Sequence, residues 1–215
     1  MKKSTLVITL LGAAAAFLPL KTALAQSVNI FNNLAYATNA GADVYLNGGS
    51  GLLADSFSTL SSSSTLTQVS LLLSSDAVSP AGNATIGLYA DSSTSPGALL
   101  SVLGMVDDGM LPTDGTYAQY DFTSTFSLAA STRYWIGITA PNADSVSWSS
   151  ANNASGVGTT GEYFFFNHGS SYPNSEGPWG MSVSVTAAVP EPSTYALFGL
   201  GGLALMIAVR RRVLS

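Results

Sequence analysis

Carboxylates are the side chains of this sequence that could do chemistry by weight of number. Between Gln26 and Ala188 there are eleven: Asp43, Asp55, Asp76, Asp91, Asp107, Asp108, Asp114, Asp121, Asp144, Glu162 and Glu176. Two carboxyl groups facing each other across a sugar ring would hydrolyse glycosides. Asp107 and Asp108 are adjacent, however, so on a strand they point to opposite faces. In VDDGMLPTDG they read as turn formers together with Asp114. A Ser-His-Asp triad would have to use His168, in FFFNHGSS, and no Gly-x-Ser-x-Gly elbow accompanies it. His168 is expected in a loop after a strand. One histidine and no cysteine do not make the three or four ligands of a zinc centre. Asp91, Asp107, Asp108 and Asp114 are oxygen donors of the kind Ca²⁺ takes. They match neither EF-hand spacing nor a nonapeptide repeat, and a structural Ca²⁺ is the one ion the pattern leaves room for. The expectation is a protein that is not an enzyme, with no catalytic residues, no metal site and no cofactor.

Aromatic rings are a second candidate chemistry, because flat rings stack on sugar faces. Trp135, Trp148 and Trp179 are the weak candidates for glycan contact, with Tyr117, Tyr163 and Tyr172 beside them. The competing role is packing, since aromatics are favoured in strands.

The charge balance narrows the partners. Arg133 is the single basic residue between Gln26 and Ala188, so this body carries a net charge of −10 although the whole chain is at −5. An acidic body is repelled by phosphate backbones, which argues against nucleic acid as a partner. The absence of cysteine removes the disulfide route to stability. About 160 residues is the size of one domain and enough for a core without staples.

The elements expected to carry these residues are strands. MSVSVTA sets Met181, Val183 and Val185 on one face against Ser182, Ser184 and Thr186 on the other. STRYWIGITA separates Tyr134, Ile136 and Ile138 from Arg133, Trp135 and Thr139, which leaves Trp135 exposed or packed under a loop. NATIGLYAD sets Ile86 and Leu88 against Thr85, Gly87 and Tyr89. LTQVSLLLSS is more continuous and suits a strand buried on both faces, or a bulge. Turn signals such as Ser95-Pro96-Gly97, Asp108-Gly109 and Asp114-Gly115 punctuate the runs. No segment of the body has a helical period with caps. The fold class is all-β: an antiparallel β-sandwich or jelly-roll-like domain of roughly eight to ten strands. Its inward residues Ile86, Leu88, Tyr134, Ile136, Ile138, Val183 and Val185 should be buried, and their alternating polar partners mostly exposed.

The two ends read differently from the body. MKKSTLVITLLGAAAAFLPLKTALA has Lys2 and Lys3, an apolar stretch from Leu6 to Leu18 and a small-x-small ending at Ala23-Leu24-Ala25. These are the three parts of a secretory signal peptide over residues 1–25, helical in its apolar part, with cleavage before Gln26. At the other end, Pro190-Glu191-Pro192-Ser193-Thr194 precedes an uncharged run from Tyr195 to Val209, then Arg210, Arg211 and Arg212. As a helix, 195–209 would be about 22 Å long, short against a bilayer core of about 30 Å but within reach of bilayer thinning. The arginines would hold its far end in the cytoplasm. The domain plan is therefore a signal peptide at 1–25, an exported β-sandwich domain at 26–188, and a tail at 189–215 whose helix makes a single transmembrane span.

The triplet, the glycine-containing apolar run and the Arg cluster, in that order and spacing, resemble the PEP-CTERM sorting signal of Gram-negative bacteria. The resemblance implies recognition of Pro190, Glu191, Pro192, Ser193 and Thr194 and of the Arg cluster by an exosortase, after export by the general secretion machinery. It also implies an inner-membrane-tethered precursor destined for the cell surface or extracellular matrix. A second resemblance covers residues 50–187. Phe57, Leu88, Tyr89, Pro96, Gly97, Leu99, Leu100, Tyr134 and Trp135 follow in an order that looks like the choice-of-anchor R domain, a β-sandwich module of bacterial surface proteins. Three functions fit these readings: a structural or adhesive matrix protein, a carbohydrate-binding module for the cell's own exopolysaccharide, and, less favoured, a secreted hydrolase.

Overall fold

The computed structural model describes residues 26–44, 52–75, 82–140, 146–166 and 169–187, and Gly201 beyond them. Thirteen strands run through these residues: β1 (Gln26–Asn32), β2 (Ala37–Asp43), β3 (Leu53–Ser58), β4 (Ser64–Ser75), β5 (Asn83–Asp91), β6 (Pro96–Asp107), β7 (Ala118–Thr123), β8 (Ser127–Leu128), β9 (Arg133–Thr139), β10 (Val146–Ala151), β11 (Tyr163–Phe166), β12 (Ser170–Pro173) and β13 (Met181–Ala187). The only helical turns from 26 to 187 among the described residues are short 3-10 turns at Leu34–Tyr36, Asp108–Met110 and Asn174–Glu176. The expected signal helix and the helix at 195–209 lie outside the described residues.

The strands form two sheets. One is seven-stranded, in the order β1-β13-β4-β10-β2, with β7 and β8 also paired to β4. The other is six-stranded, in the order β12-β11-β3-β9-β5-β6. All strand pairings are antiparallel. One apolar core draws on both sheets: Leu66, Val69, Leu71, Leu73, Val183 and Val185 from the first, and Leu53, Phe57, Ile86, Leu88, Ile136 and Ile138 from the second. That shared core is the arrangement of a sandwich. All seven residues expected to be inward are buried.

The long strand β4 explains its own continuous sequence. Val69, Leu71 and Leu73 alternate into the core, and Leu66 joins them although it is out of phase. The ladder to β13 shifts register between Ser184↔Gln68 and Val185↔Leu66, so Thr67 is the extra residue of a bulge. The hydroxyl of Thr67 donates to the Ser184 carbonyl at 2.9 Å.

Three expectations need correction. There are thirteen strands rather than eight to ten, because β1 starts at Gln26 and β2, β8 and β12 are additional. Pro96 and Gly97 open β6 rather than form a turn; the turn is Ser92–Ser95, closed by a hydrogen bond from Ser95 N to Ser92 O of 3.2 Å. The outward positions of β5 and β9 are not polar and exposed. Tyr89 and Trp135 are buried with Ala54 in a second small cluster, flanked by Leu52, Tyr163 and Phe165. The central strands of the six-stranded sheet are thus covered on both faces.

An aspartate in place of Ile136, which is fully buried between β3 and β5, would put an unpaired charge into the core. In urea melts Ile136→Asp should cost more than about 4 kcal/mol or prevent folding, whereas Ser62→Asp at an exposed bend should stay within about 0.5 kcal/mol.

Candidate functional site

The three tryptophans named as glycan contacts are all inside the protein. Trp135 and Trp148 are fully buried and Trp179 is 3% exposed. The indole N–H of Trp135 donates to Asp91 Oδ1 at 2.7 Å, that of Trp148 to the Gly180 carbonyl at 2.9 Å, and that of Trp179 to the Phe165 carbonyl at 3.3 Å. Trp179 stacks on Trp148 and on Phe166, with centroids 6.0 and 5.9 Å away, and Phe164 meets it edge-on at 5.7 Å. Their ring faces are occupied by the fold, which removes them as a sugar platform. The exposed aromatics are Tyr36, in the 3-10 turn after β1, and Phe166 and Tyr172, which lie next to this cluster on the β11–β12 hairpin at the edge of its sheet. Tyr172 was among the sequence candidates and Phe166 was not.

Beneath that hairpin sits the main concentration of polar chemistry. Along β3, Leu53, Asp55 and Phe57 alternate with Ala54 and Ser56. Asp55 is fully buried; its Oδ2 accepts from the Trp179 amide at 2.8 Å and its Oδ1 from Asn174 Nδ2 at 3.1 Å. Burial holds its carboxyl well above the usual range, with some help from nearby Glu162, against the lowering pull of the two hydrogen bonds. Asn174 Oδ1 is buried without a partner. Turning that amide over would bring Oδ1 onto Asp55, where a protonated carboxyl can donate to it. The orphan acceptor thus sits on the residue that bonds this raised-pKa carboxyl.

Next along β3, the buried Ser56 donates to Glu162 Oε2 and accepts from the Tyr163 amide at 2.9 Å. Glu162, 4% exposed, also takes the body's single cation: Arg133 Nε lies 3.0 Å from the same oxygen. Arg133 further donates to the Gly161 carbonyl at 3.0 Å and lies over the Tyr163 ring, 5.0 Å from its centroid. A serine, two carboxylates and an arginine are therefore gathered, but every hydrogen bond of Ser56 is directed to the fold and neither Ser56 nor Asp55 reaches solvent.

The carboxylates considered for Ca²⁺ are each tied into local structure. Asp107 Oδ1 accepts from Gly109 N and Asp114 Oδ1 from Thr116 N, both as turn caps. Asp108 Oδ1 accepts from Gly82 N at 2.9 Å, and Asp91 holds the Trp135 indole. Among the described residues no group of three or more histidines and carboxylates gathers around one point. His168 lies outside the described residues. One shallow groove of about 480 Å³ runs between β6 and the β7–β8 segment, lined by Ser101, Val102, Thr123, Ser124, Thr125, Phe126 and Ser127. It is a hydroxyl surface without a charged group.

The remaining candidates are at the ends of the body. Gln26, which follows the expected cleavage at Ala23-Leu24-Ala25, pairs with Ala187 in the β1–β13 ladder. Both ends of the body are held at one pole by adjacent strands. The sequence that follows Ala187 is the stretch with the Pro-Glu-Pro triplet, and residues 188–212 match the family described as the PEP-CTERM protein-sorting motif. The chain carries a PEP-CTERM sorting signal. The match takes in Pro190 to Thr194, the apolar run and Arg210 to Arg212. A PEP-CTERM motif implies an exported protein of a Gram-negative bacterium, processed at the membrane by an exosortase. No curated protein matches the chain.

The Asp55 carboxyl yields a signed expectation. A folded-state pKa raised above the ordinary 3.8 means the folded chain holds a proton the unfolded chain releases. Stability is unaffected by this group below about pH 4, falls as pH rises through the window up to the raised value, and stays at the lower level beyond it. Asp114 and Asp121, lowered chiefly by hydrogen bonds from Thr116 and Ser70, act only below 3.8 and are solvent-screened. Melting curves from about pH 4 to about pH 8 should show a declining Tm in the native chain and a flatter profile in Asp55→Asn. Equal slopes would remove the assignment of a raised pKa to Asp55.

Proposed function

We propose that this protein is a non-catalytic structural or adhesive component of the cell surface or extracellular matrix, delivered there through its PEP-CTERM signal. The observation that carries the reading is the pairing of a sorting signal with a body whose one gathered set of polar groups, Asp55, Ser56, Glu162 and Arg133, is bonded within the fold. Asp55, Asp91, Asp107, Asp108, Asp114 and Glu162 each bond to a neighbour of the same fold. A hydrolase would hold two carboxyl groups apart across an open cleft. Here the nearest pair by electrostatics, Asp55 and Glu162, is buried. The resemblance of residues 50–187 to the choice-of-anchor R module supports the same reading.

A carbohydrate-binding role is the second reading, and one observation favours it: Phe166 and Tyr172 are 38% and 39% exposed on one hairpin. Flat rings at a sheet edge can stack on sugars, and the neutral hydroxyl surface around Ser124 and Ser127 would not repel an uncharged polysaccharide. The structural role takes precedence because two half-exposed rings make a small platform beside the tryptophans that the fold encloses.

Sorting gives the direct test. An epitope-tagged body is followed in the native chain, in Pro190→Ala/Glu191→Ala/Pro192→Ala, and in a strain lacking exosortase. The expected outcome is that both altered cases accumulate full-length protein in the membrane fraction while the native chain reaches the surface or matrix. Identical release from all three would mean that the tail is an ordinary anchor. A surface-delivered protein whose loss leaves matrix cohesion unchanged would reject the structural role while leaving the sorting step intact.

A further inference from the structure

Strand β1 begins at Gln26, the residue that follows the expected signal-peptide cut at Ala23-Leu24-Ala25. The first rung of the β1–β13 ladder is Gln26↔Ala187, so no free tail precedes the sheet once residues 1–25 are removed. Among the described residues β13 is the only strand laddered to β1, which makes β1 an edge strand. Gln26 and Ser27 are exposed, and no hydrogen bond ties the Gln26 side chain to another described residue. A glutamine at a newly made chain end has a chemistry that an internal glutamine lacks. Its own α-amine lies within reach of its side-chain amide carbon, and joining the two makes a five-membered ring. An α-amine titrates near about 8, so near neutral pH part of it is unprotonated and able to act as a nucleophile.

We propose that Gln26 is a modification site: once the signal peptide is removed, it closes to pyroglutamate and seals the exposed end of β1. The proposal rests on the signal-peptide reading of residues 1–25 and goes beyond the sorting role. In the step, the α-nitrogen of Gln26 attacks its own Cδ. The N–Cδ bond forms, the Cδ–Nε2 bond breaks, and the side-chain nitrogen leaves as ammonia with the proton shed by the α-amine. No oxidant, cofactor or second substrate is needed. The fold permits the closure, because the ring uses atoms of Gln26 alone and its nitrogen keeps one hydrogen. The ladder from Ser27↔Thr186 onward is untouched. The fold also gives the ring something to protect. Cleavage leaves an α-ammonium at the first rung of the ladder, and an exopeptidase that grips such an amine would start there. Strand β1 covers one side of β13, the strand that leads into the sorting motif, so trimming from Gln26 inward would remove its rungs in turn. A cyclised end carries no amine to grip.

The full chain is expressed in its exporting host and the exported protein is purified. Free amines are labelled on the intact protein before digestion, so that ring closure during handling is not counted. Mass spectrometry then identifies the N-terminal peptide. The expected peptide begins at residue 26, carries no label at its end, and is lighter than its sequence by the mass of one ammonia. Stepwise amino-terminal degradation should read nothing from the native chain until a pyroglutamyl aminopeptidase has removed the ring. Gln26→Asn keeps the side-chain amide but would need a four-membered ring. Its end should stay open, take the label, and lose residues to an aminopeptidase that leaves the native chain whole. Should Gln26→Asn fail to accumulate, the native chain alone decides the chemistry. A native peptide that begins at residue 26 with a labelled amine overturns the proposal and leaves signal cleavage in place. A chain that begins at any other residue overturns both. A cyclised native chain trimmed as fast as Gln26→Asn would reject the sealing role.

Discussion

The bond from the Trp179 amide to the Asp55 carboxyl joins the two halves of this molecule. Asp55 belongs to β3 in the six-stranded sheet, while Trp179 bridges to Ser150 beside β10 and leads into β13 in the seven-stranded sheet. At that crossing the backbone leaves one layer for the other, and its amides need partners where no ladder supplies them. Asp55 takes one, and Asn33 takes the next by accepting from Met181 N and donating to the Trp179 carbonyl, both at 2.8 Å. With the backbone fixed, the Trp179 ring is set between Trp148 of one sheet and Phe164 and Phe166 of the other. Burial at this crossing is what raises the Asp55 pKa, since a full charge is costly in the core.

This geometry accounts for how much of the fold was legible in the sequence. Period-two patterning identified the strands that carry the core, because β5, β9 and β13 bury one face against the other sheet and their inward residues must be apolar. The same logic misjudged Trp135: its phase was right, on the face opposite Ile136, but a single sequence does not say that Leu52, Tyr163 and Phe165 will gather over that face. Strand β2, ATNAGAD, was missed because it lacks the β-branched and aromatic residues that mark strands. It is held by neighbours instead, through hydroxyl bonds from Ser149 to the Thr38 carbonyl and from Ser150 to the Ala40 carbonyl. Partner-dependent bonds of this sort leave no local signature. Strand β12, SSYP, is too short for any period to show.

The candidate sites divide along the same line. The sorting signal was legible because its information is local: a triplet, an apolar run and a charge cluster in fixed order, readable without tertiary structure. The Asp55–Asn174 and Ser56–Glu162–Arg133 contacts were not, since their members are separated by 119, 106 and 29 residues along the chain. Even the meaning of Arg133 changes in three dimensions. In the sequence it is a lone positive charge in an acidic body; in the structure it is the counter-ion that lets Glu162 lie buried beside Ser56.

An exported domain without disulfides must find its stability in packing and hydrogen bonding alone. The same choice bears on what the surface can do. Asp55, Asp108 and Glu162 are withdrawn into the fold, whereas Asp91, Asp107, Asp114, Asp121 and Glu176 stay on the exterior among hydroxyls, amides and a few apolar side chains. The β1–β13 ladder completes the arrangement by setting Gln26 beside Ala187. Strand β13, which leads into the motif, is hydrogen-bonded on one side to β1 and on the other to β4. Cutting beyond Ala187 would therefore leave the ladder intact. The sorting tail and the body are separable in this sense: the tail carries an address that can be removed, and the last strand of the body is already secured by both of its neighbours.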